Sequence, residues 1–400
     1  MDNSIIPYGR QFISEEDIQA VISNLKSDYL TQGPLIKEFE DKFAEYIGSK
    51  YAVAVSNGTA ALHLAAMALN VSEGSNVITT PITFVASANC VRFCGGNVWF
   101  ADIDPHTYTL SIESVEELIL SKPKGFFSGI IPVDFAGYAI DLEKFRALAD
   151  KYNLWIIEDA CHAPGAYFID SNQVNQRCGN GNLSDMSVFS FHPVKHIATG
   201  EGGMITTNSL ELYQKLMSLR THGIVKNEGA YTNTLAEAIG HQYNETQVTW
   251  PGWYMEMQQL GYNYRLTDFQ AALGISQLAR AAENLERRKA IALKYKEAFE
   301  GKKWLKGQSG FVEGHAYHLY IIEVENRLGL YNYLKEHKIF AQVHYIPAHT
   351  MPYYKDLGYK SGDFPASEAY YGQCLSLPMY PTLTDAEQDR VINTIAHFYE

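Results

Sequence analysis

No apolar run in this chain approaches the roughly 18 residues that a membrane-spanning helix needs, so an integral membrane helix is excluded. Positive charge is also scarce. Lys and Arg number 32 against 45 Asp and Glu, a formal net charge of −13, and nucleic acid, which is gripped by surplus Lys and Arg on one face, is not an expected partner. The five cysteines, Cys90, Cys94, Cys161, Cys178 and Cys374, are odd in number, irregularly spaced and without a Cys-x-x-Cys pair. They read as free thiols rather than a disulfide framework or a metal centre. Met1 to Arg10 lacks the basic and apolar regions of a leader peptide, so a cytoplasmic location is expected. Neither a Gly-x-x-x-x-Gly-Lys-Ser/Thr run nor a strand followed by Gly-x-Gly-x-x-Gly is present, which argues against a nucleoside triphosphate or a dinucleotide.

What is present is a large α/β pattern. Four hundred residues at 46% hydrophobic can bury a sizeable core. Ser14-Glu-Glu-Asp17 resembles a capping box, and Ile18, Val21, Ile22 and Leu25 follow at helical spacing, which predicts an N-terminal helix with one buried apolar face. From Tyr51 to Thr207, short apolar runs alternate with helical segments: 53–55, 76–80, 98–101, 129–133, 154–158, 187–191 and 204–206. Runs apolar on both faces and separated by helices predict a mostly parallel sheet covered on both sides, with ligands beyond the strand ends. Residues 229–261 are polar, aromatic and aperiodic, a long excursion. Asp268 to Glu300 reads as one long helix. The remainder alternates strand (317–324), helix (328–336), strand (340–345) and helix (384–399), which gives a large domain over 1–270 and a smaller C-terminal α/β domain over 271–400.

Three elements carry chemistry. Lys195 lies between the apolar run Met186 to Phe191 and the Gly200-Glu-Gly-Gly203 turn, with no acid beside it to form an ion pair. Partial burial would lower its pKa and supply the free amine that attacks an aldehyde. Upstream, Leu154-Trp-Ile-Ile-Glu-Asp159 reads as a buried strand ending in two carboxylates. Asp159 can lie against the pyridine nitrogen of pyridoxal phosphate and keep it protonated; the plainer alternative is that Glu158 and Asp159 open a loop or cap a helix. Third, strand Tyr51–Val55, the turn Ser56-Asn-Gly-Thr-Ala60 and the helix that follows can hold a phosphate on Gly58 and Thr59 through unpaired helix-start amides. An ordinary Thr-capped helix explains that motif as well.

In order, Ser56 to Ala60, Pro81-Ile-Thr-Phe-Val-Ala-Ser87, Glu158-Asp-Ala-Cys-His-Ala-Pro-Gly-Ala166, Ser190 to Gly203, Leu219-Arg-Thr-His-Gly223 and Gly261-Tyr-Asn-Tyr-Arg-Leu-Thr-Asp268 resemble the DegT/DnrJ/EryC1/StrS family of sugar aminotransferases. These are fold-type I pyridoxal-phosphate enzymes, and the resemblance covers nearly the whole chain. Phe189 to Lys195 and His344-Tyr-Ile-Pro347 are similar to the subgroup that aminates the 4-keto position of a UDP-linked N-acetyl-dideoxyhexose on the pseudaminic acid route.

That resemblance implies pyridoxal 5′-phosphate as cofactor, Lys195 as Schiff-base and proton-shuttling residue, and Asp159 on the pyridine nitrogen. It implies Phe84 on the ring face, Gly58, Thr59 and Ser190 on the phosphate, and His162 flanking the ring or its hydroxyl. Asn263 would reach the phosphate of a neighbouring subunit, hence an obligate homodimer with active sites at the interface. Thr31, Gln32, His344 and Tyr345 would line the sugar pocket. The partners implied are an amino-acid donor, glutamate, and a UDP-linked keto-sugar. Arg10, Arg220, Lys226 and Arg265 fall near these motifs as candidate anion-binding residues, Arg220 being assigned to substrate, with structural ion pairs as the alternative. The subgroup usually has Pro directly after the lysine and Thr two residues later. This chain has His196 and Ala198, and His196 either tunes Lys195 or points into solvent. Two further readings stay open: a sugar dehydratase of the same fold, in which histidine replaces the lysine, and a non-catalytic relative that binds the cofactor or a nucleotide sugar.

Overall fold

The seven apolar runs form one sheet in the computed structural model, which describes residues 4–240 and 249–400. Its strands are β1 (Tyr51–Val55), β2 (Asn76–Thr79), β3 (Asn97–Phe100), β4 (Gly129–Ile131), β5 (Trp155–Asp159), β6 (Met186–Ser190) and β7 (Gly203–Thr207). Their order across the sheet is β1-β7-β6-β5-β4-β2-β3. Every pairing from β6 to β3 is parallel, and only β7 runs antiparallel, to both β1 and β6.

Alternation along the strands builds a core on each face. Val53, Val55, Ile157, Val188 and Ile205 pack on one side with helices Gly58–Ala68 and Leu210–Arg220. Ala52, Ala54, Phe189 and Met204 pack on the other with Phe39 and Phe43 of helix Pro34–Ile47 and Ala271 of helix Asp268–Ala279. Double-sided burial explains why these strands read as uninterrupted apolar runs rather than alternating ones. It also leaves their carboxyl ends as the place where a polar site can be built.

Several local expectations are corrected. Ser14 does cap helix Glu15–Leu25 reciprocally with Asp17. The buried positions of that helix, however, are Asp17 and Asn24, while Ile18 and Leu25 are exposed. A buried ion pair sets this rotation: Asp17 Oδ2 accepts from Arg280 Nη2 at 2.6 Å and from Gln277 Nε2 at 2.6 Å. Arg280, held there, has φ −106° and ψ 5° and divides the expected long helix into Asp268–Ala279 and Ala281–Phe299.

The C-terminal part forms its own antiparallel sheet of Leu305–Gln308, Tyr320–Val324 and Cys374–Leu377. Its core includes Tyr295, Leu330 and Ile395, and Ile6 from the N-terminal segment packs into it. The strand expected over 340–345 does not form. That stretch touches the sheet through a single bridge, Gln342 to Ser376, and runs on to deliver His344 and Tyr345 to the large sheet. Within the expected excursion, helix Leu235–Ile239 and strand Glu256–Met257, which pairs with Ile224–Val225 just before it, are regular elements, and residues 241–248 lie outside the described residues. Among the described residues no helix is long and apolar enough to cross a membrane.

Gly203 makes a tight junction between the sheet and the turn at Asn57 and Gly58. A Cβ there would sit 2.6 Å from the Asn57 carbonyl carbon and oxygen and 2.9 Å from the Gly58 nitrogen. Backbone cannot yield as a flexible side chain can, so Gly203→Ala is expected to destabilise the protein by about 1–3 kcal/mol. Gly9→Ala, where a Cβ meets nothing within 4 Å, should be neutral. Denaturant midpoints of the two variants check this.

Candidate active site

One cavity of about 730 Å³ lies beyond the carboxyl ends of β5 and β6. Gly58, Thr59, Phe84, Asp159, His162, Ser190, Lys195, His344 and Tyr345 all line it, although they are scattered over nearly 290 residues of chain.

Helix Gly58–Ala68 starts at the cavity wall. Asn57 is its N-cap, its side-chain oxygen accepting from Ala60 N–H at 2.8 Å, so the capping role considered for Thr59 falls to Asn57. Thr59 is left to face the cavity. The first intrahelical bond runs from Ala61 N–H to Asn57 C=O, so the Gly58 and Thr59 amides precede it and are available to an anion. Space is short on the other side of the turn: a Cβ on Gly58 would come within 3.0 Å of Ser190 Cβ and 3.3 Å of its Oγ. Gly58 therefore lets the turn and Ser190 close on the same point.

Glu158 and Asp159 are the last two residues of β5, not a loop, and both are buried. Strand alternation points them in opposite directions. Asp159 faces the cavity, where Ser87 Oγ donates to its Oδ2 at 2.6 Å and Cys161 N–H to its Oδ1 at 3.2 Å. Thr83 Oγ1 in turn lies 2.8 Å from Ser87 Oγ. Ser87 is a site residue that sequence reasoning missed. It ends the Pro81–Ser87 motif, but nothing local says that its hydroxyl meets a carboxylate 72 residues away.

Lys195 follows β6 on a turn closed by its own N–H to the His192 carbonyl at 2.8 Å. Burial lowers its pKa to about 8, and nearby Cys161 and Asp159 oppose that shift. His162, His318 and His344 line the cavity, and His196 packs against His318. His162 and His318 have ring centroids 4.2 Å apart, and His318 and His196 5.6 Å apart. Burial, reinforced by the charge of Lys195, holds His162 and His318 well below the usual imidazole range, and His344 at about 3. They are neutral near pH 7, and their tautomers follow from their partners. Ala136 N–H donates to His162 Nδ1 at 3.2 Å, so the ring hydrogen is on Nε2, which faces Tyr345 Oη at 3.2 Å. His318 is another lining residue with no signal in the sequence.

His196 does not point into solvent. It is 7% exposed, and its Nε2 donates to the Ala316 carbonyl at 2.9 Å. Arg220 is likewise no substrate residue of this cavity. It is buried against Glu40, Nη1 to Oε1 at 2.6 Å, and donates to the Ala54 carbonyl at 2.8 Å. Thr31, Gln32 and Asn263 are exposed and lie outside this chain's own cavity. Thr31 bridges to Thr267, and Asn263 to Thr221. Arg10, Lys226 and Arg265 do not line it either.

An amine of lowered pKa, a buried hydrogen-bonded carboxylate and a helix-start anion cradle around one cavity fit the aldehyde, ring nitrogen and phosphate of pyridoxal phosphate. Residues 11–396 match the model of the DegT/DnrJ/EryC1/StrS aminotransferase family. The chain belongs to this family. As a family member it is a pyridoxal-phosphate-dependent sugar aminotransferase of fold type I, acting in nucleotide-sugar or glycan biosynthesis. It is 37% identical over 402 residues to the spore coat polysaccharide biosynthesis protein SpsC of Bacillus subtilis, covering 98% of this chain and 97% of that one. A protein of Methanocaldococcus jannaschii is 38% identical over 408 residues, with 98% and 97% covered. Among solved structures it is similar to Helicobacter pylori PseC, an aminotransferase involved in the biosynthesis of pseudaminic acid (28% identity, TM-score 0.85, 99% of both chains). It is also similar to Streptococcus pneumoniae Spr1654 in its PMP form (27% identity, TM-score 0.86, 98% of both chains).

Two outcomes are expected from this family member's site. In the cofactor-free protein the folded pKa of Lys195, about 8, lies below the ordinary lysine value of 10.5. The unfolded chain therefore binds more protons between those values, and stability rises with pH across that window. Cofactor-free Lys195→Met should exceed wild type by on the order of 3 kcal/mol below pH 8, the gap closing toward pH 10.5; denaturant titrations at several pH values read it. Arg220→Met, which strands the buried Glu40 carboxylate, should cost about 3–5 kcal/mol and leave the KM for sugar unchanged in the folded fraction. A raised KM without loss of stability would restore Arg220 to the substrate site.

Proposed function

We propose that this enzyme transfers an amino group from L-glutamate to the C4 keto group of a UDP-linked 2-acetamido-2,6-dideoxy-hexos-4-ulose, a step of pseudaminic acid type. The observation that carries the chemistry is Lys195, an amine with its pKa brought down to about 8 at the same cavity as the buried Asp159 carboxylate. Similarity to PseC over 99% of both chains supports the sugar. Glutamate as donor rests on what the family resemblance implies.

When bound, pyridoxal phosphate supplies an aldehyde for the amine and a ring that takes up electrons from the substrate carbon. The residues of the chain do the rest. Gly58 and Thr59 amides, the Thr59 hydroxyl and Ser190 would hold the phosphate, and Phe84, a lining residue, would cover the ring. Asp159, its orientation set by Ser87 Oγ and Cys161 N–H, would accept from the ring N–H. His162, with hydrogen on Nε2 and beside Tyr345, would flank the ring or its hydroxyl. Lys195 Nζ takes the α-proton of the donor, then returns a proton to C4 of the acceptor. With a pKa of about 8 it is neutral in part of the molecules at neutral pH and cationic in the rest, as an acid–base group needs. His344 and Tyr345 face the sugar.

The enzyme works as a cytoplasmic homodimer. Tyr29, Leu30 and Phe93 are large apolar residues left 49–55% exposed on the single chain, as positions that a second copy covers would be. Asn263, Thr31 and Gln32 are exposed on this chain and outside its own cavity, as residues that serve a neighbour's site would be. One observation favours a second reading of the substrate: identity to SpsC, 37%, exceeds identity to PseC, 28%. On that reading the acceptor is a different nucleotide-linked keto-deoxysugar.

Loaded with pyridoxal phosphate, the protein should show a visible absorbance band that glutamate bleaches and the UDP-linked 4-keto sugar restores. Lys195→Ala should lack the band and turn over at least roughly a hundredfold to ten-thousandfold more slowly. Recovery only with another nucleotide-linked keto-sugar selects the second reading. Undiminished turnover in Lys195→Ala overturns both.

A further inference from the structure

Behind the active site, on the opposite side of β5 from Asp159, Asp134 and Glu158 face each other beside Cys178. The three are 0%, 1% and 2% exposed, and a carboxyl oxygen of each acid and Cys178 Sγ lie within 4.8 Å of one another. Glu158 Oε2 is fully answered: Gly179 N–H donates at 2.9 Å, Ser187 Oγ at 2.6 Å and Ser184 Oγ at 3.4 Å. Asp134 Oδ1 accepts from Ile140 N–H at 3.0 Å. The remaining oxygens, Asp134 Oδ2 and Glu158 Oε1, are buried without a donor. Among the described residues no Lys, Arg or His bonds to either carboxyl. Two bare carboxylates at this distance in a dry interior would repel and lack solvation, whereas one hydrogen between them satisfies both oxygens.

We propose that Asp134 and Glu158 share a single proton, carried by Asp134 and donated to Glu158, and that this clamp positions the active site from behind. Glu158 is the charged member because its other oxygen already takes three donors. Burial raises the pKa of both acids, and the Glu158 charge raises Asp134 further. The clamp joins the two segments that matter for chemistry. Asp134 N–H donates to the Asp159 carbonyl at 3.0 Å and Asp159 N–H to the Pro132 carbonyl at 2.9 Å. Two residues on, Ala136 N–H fixes the His162 tautomer. Asp134 and Glu158 are thus positioning residues, and the inference holds whichever sugar is aminated.

Infrared spectra of the full-length, cofactor-loaded protein test it. A buried protonated-carboxyl stretch should be present at pH 7 and lost in both Asp134→Asn and Glu158→Gln, since either amide supplies the hydrogen and leaves the other residue a carboxylate. Asp134→Asn should keep the ring-nitrogen resonances of His162. Asp134→Ala, which offers no donor, should shift them and weaken pyridoxal phosphate binding about tenfold. The groups that face the pair are Cys178 and, across the strand, Asp159 and Cys161. With a raised folded pKa on Asp134, wild-type stability relative to Asp134→Asn should fall as pH rises above the ordinary carboxyl range. Survival of the band in both single variants, or a stoichiometric metal ion in the purified protein whose removal unfolds it, would overturn the shared proton. Unchanged His162 resonances in a folded Asp134→Ala would overturn the positioning role. Loss of aminotransferase activity alone bears on neither outcome, so failure of the proposed sugar chemistry stays distinguishable.

Discussion

Everything at the active site hangs on the last turn of alternation in β5. A strand buried on both faces has no solvent to accept a charge, yet this one ends in Glu158 and Asp159. Pleating sends the two carboxyls to opposite sides, and each must find its own donors. Asp159 finds Ser87 Oγ and the Cys161 amide; Glu158 finds Ser187, Ser184 and the Gly179 amide. The segments that supply those donors, 81–87, 160–162 and 178–190, are thereby drawn to one end of the sheet. They carry Phe84, His162, Ser190 and the approach to Lys195.

The electrostatics around Lys195 follow from the same crowding. Its ammonium is disfavoured by burial and partly restored by Asp159 and Cys161. The surrounding imidazoles, His162, His196, His318 and His344, lose their protons to burial and to the nearby lysine. The cavity therefore holds an amine of lowered pKa among imidazoles that burial keeps neutral.

Much of this was legible. The seven strand segments fall within one or two residues of the apolar runs, since runs buried on both faces carry their own signal. The turn after β1, the acid at the end of β5 and the lysine after β6 could be singled out because each is a residue type out of keeping with its local pattern. Arg220 was misjudged for the converse reason: it lies in a motif near the site, but its partner Glu40 is 180 residues away. The apolar stripe Ile18–Leu25 predicts a buried face by spacing alone, whereas the helix buries Asp17, which pairs with Arg280, 263 residues distant. The break in the helix expected over 268–300 falls at that same Arg280.

By itself, then, the sequence determined the elements whose causes are local: strand and helix periodicity, the reciprocal cap at Ser14, the phosphate-ready turn at Gly58, and the chemistry that Lys195 and Asp159 can perform. Only the tertiary structure decided which polar groups answer one another. It brought Tyr345 to His162 across 183 residues, placed Ser87 on Asp159, put His196 under cover, and set Asp134 against Glu158. Periodicity is a property of neighbouring residues, whereas the burial of a charge is settled by whatever segment the fold lays beside it.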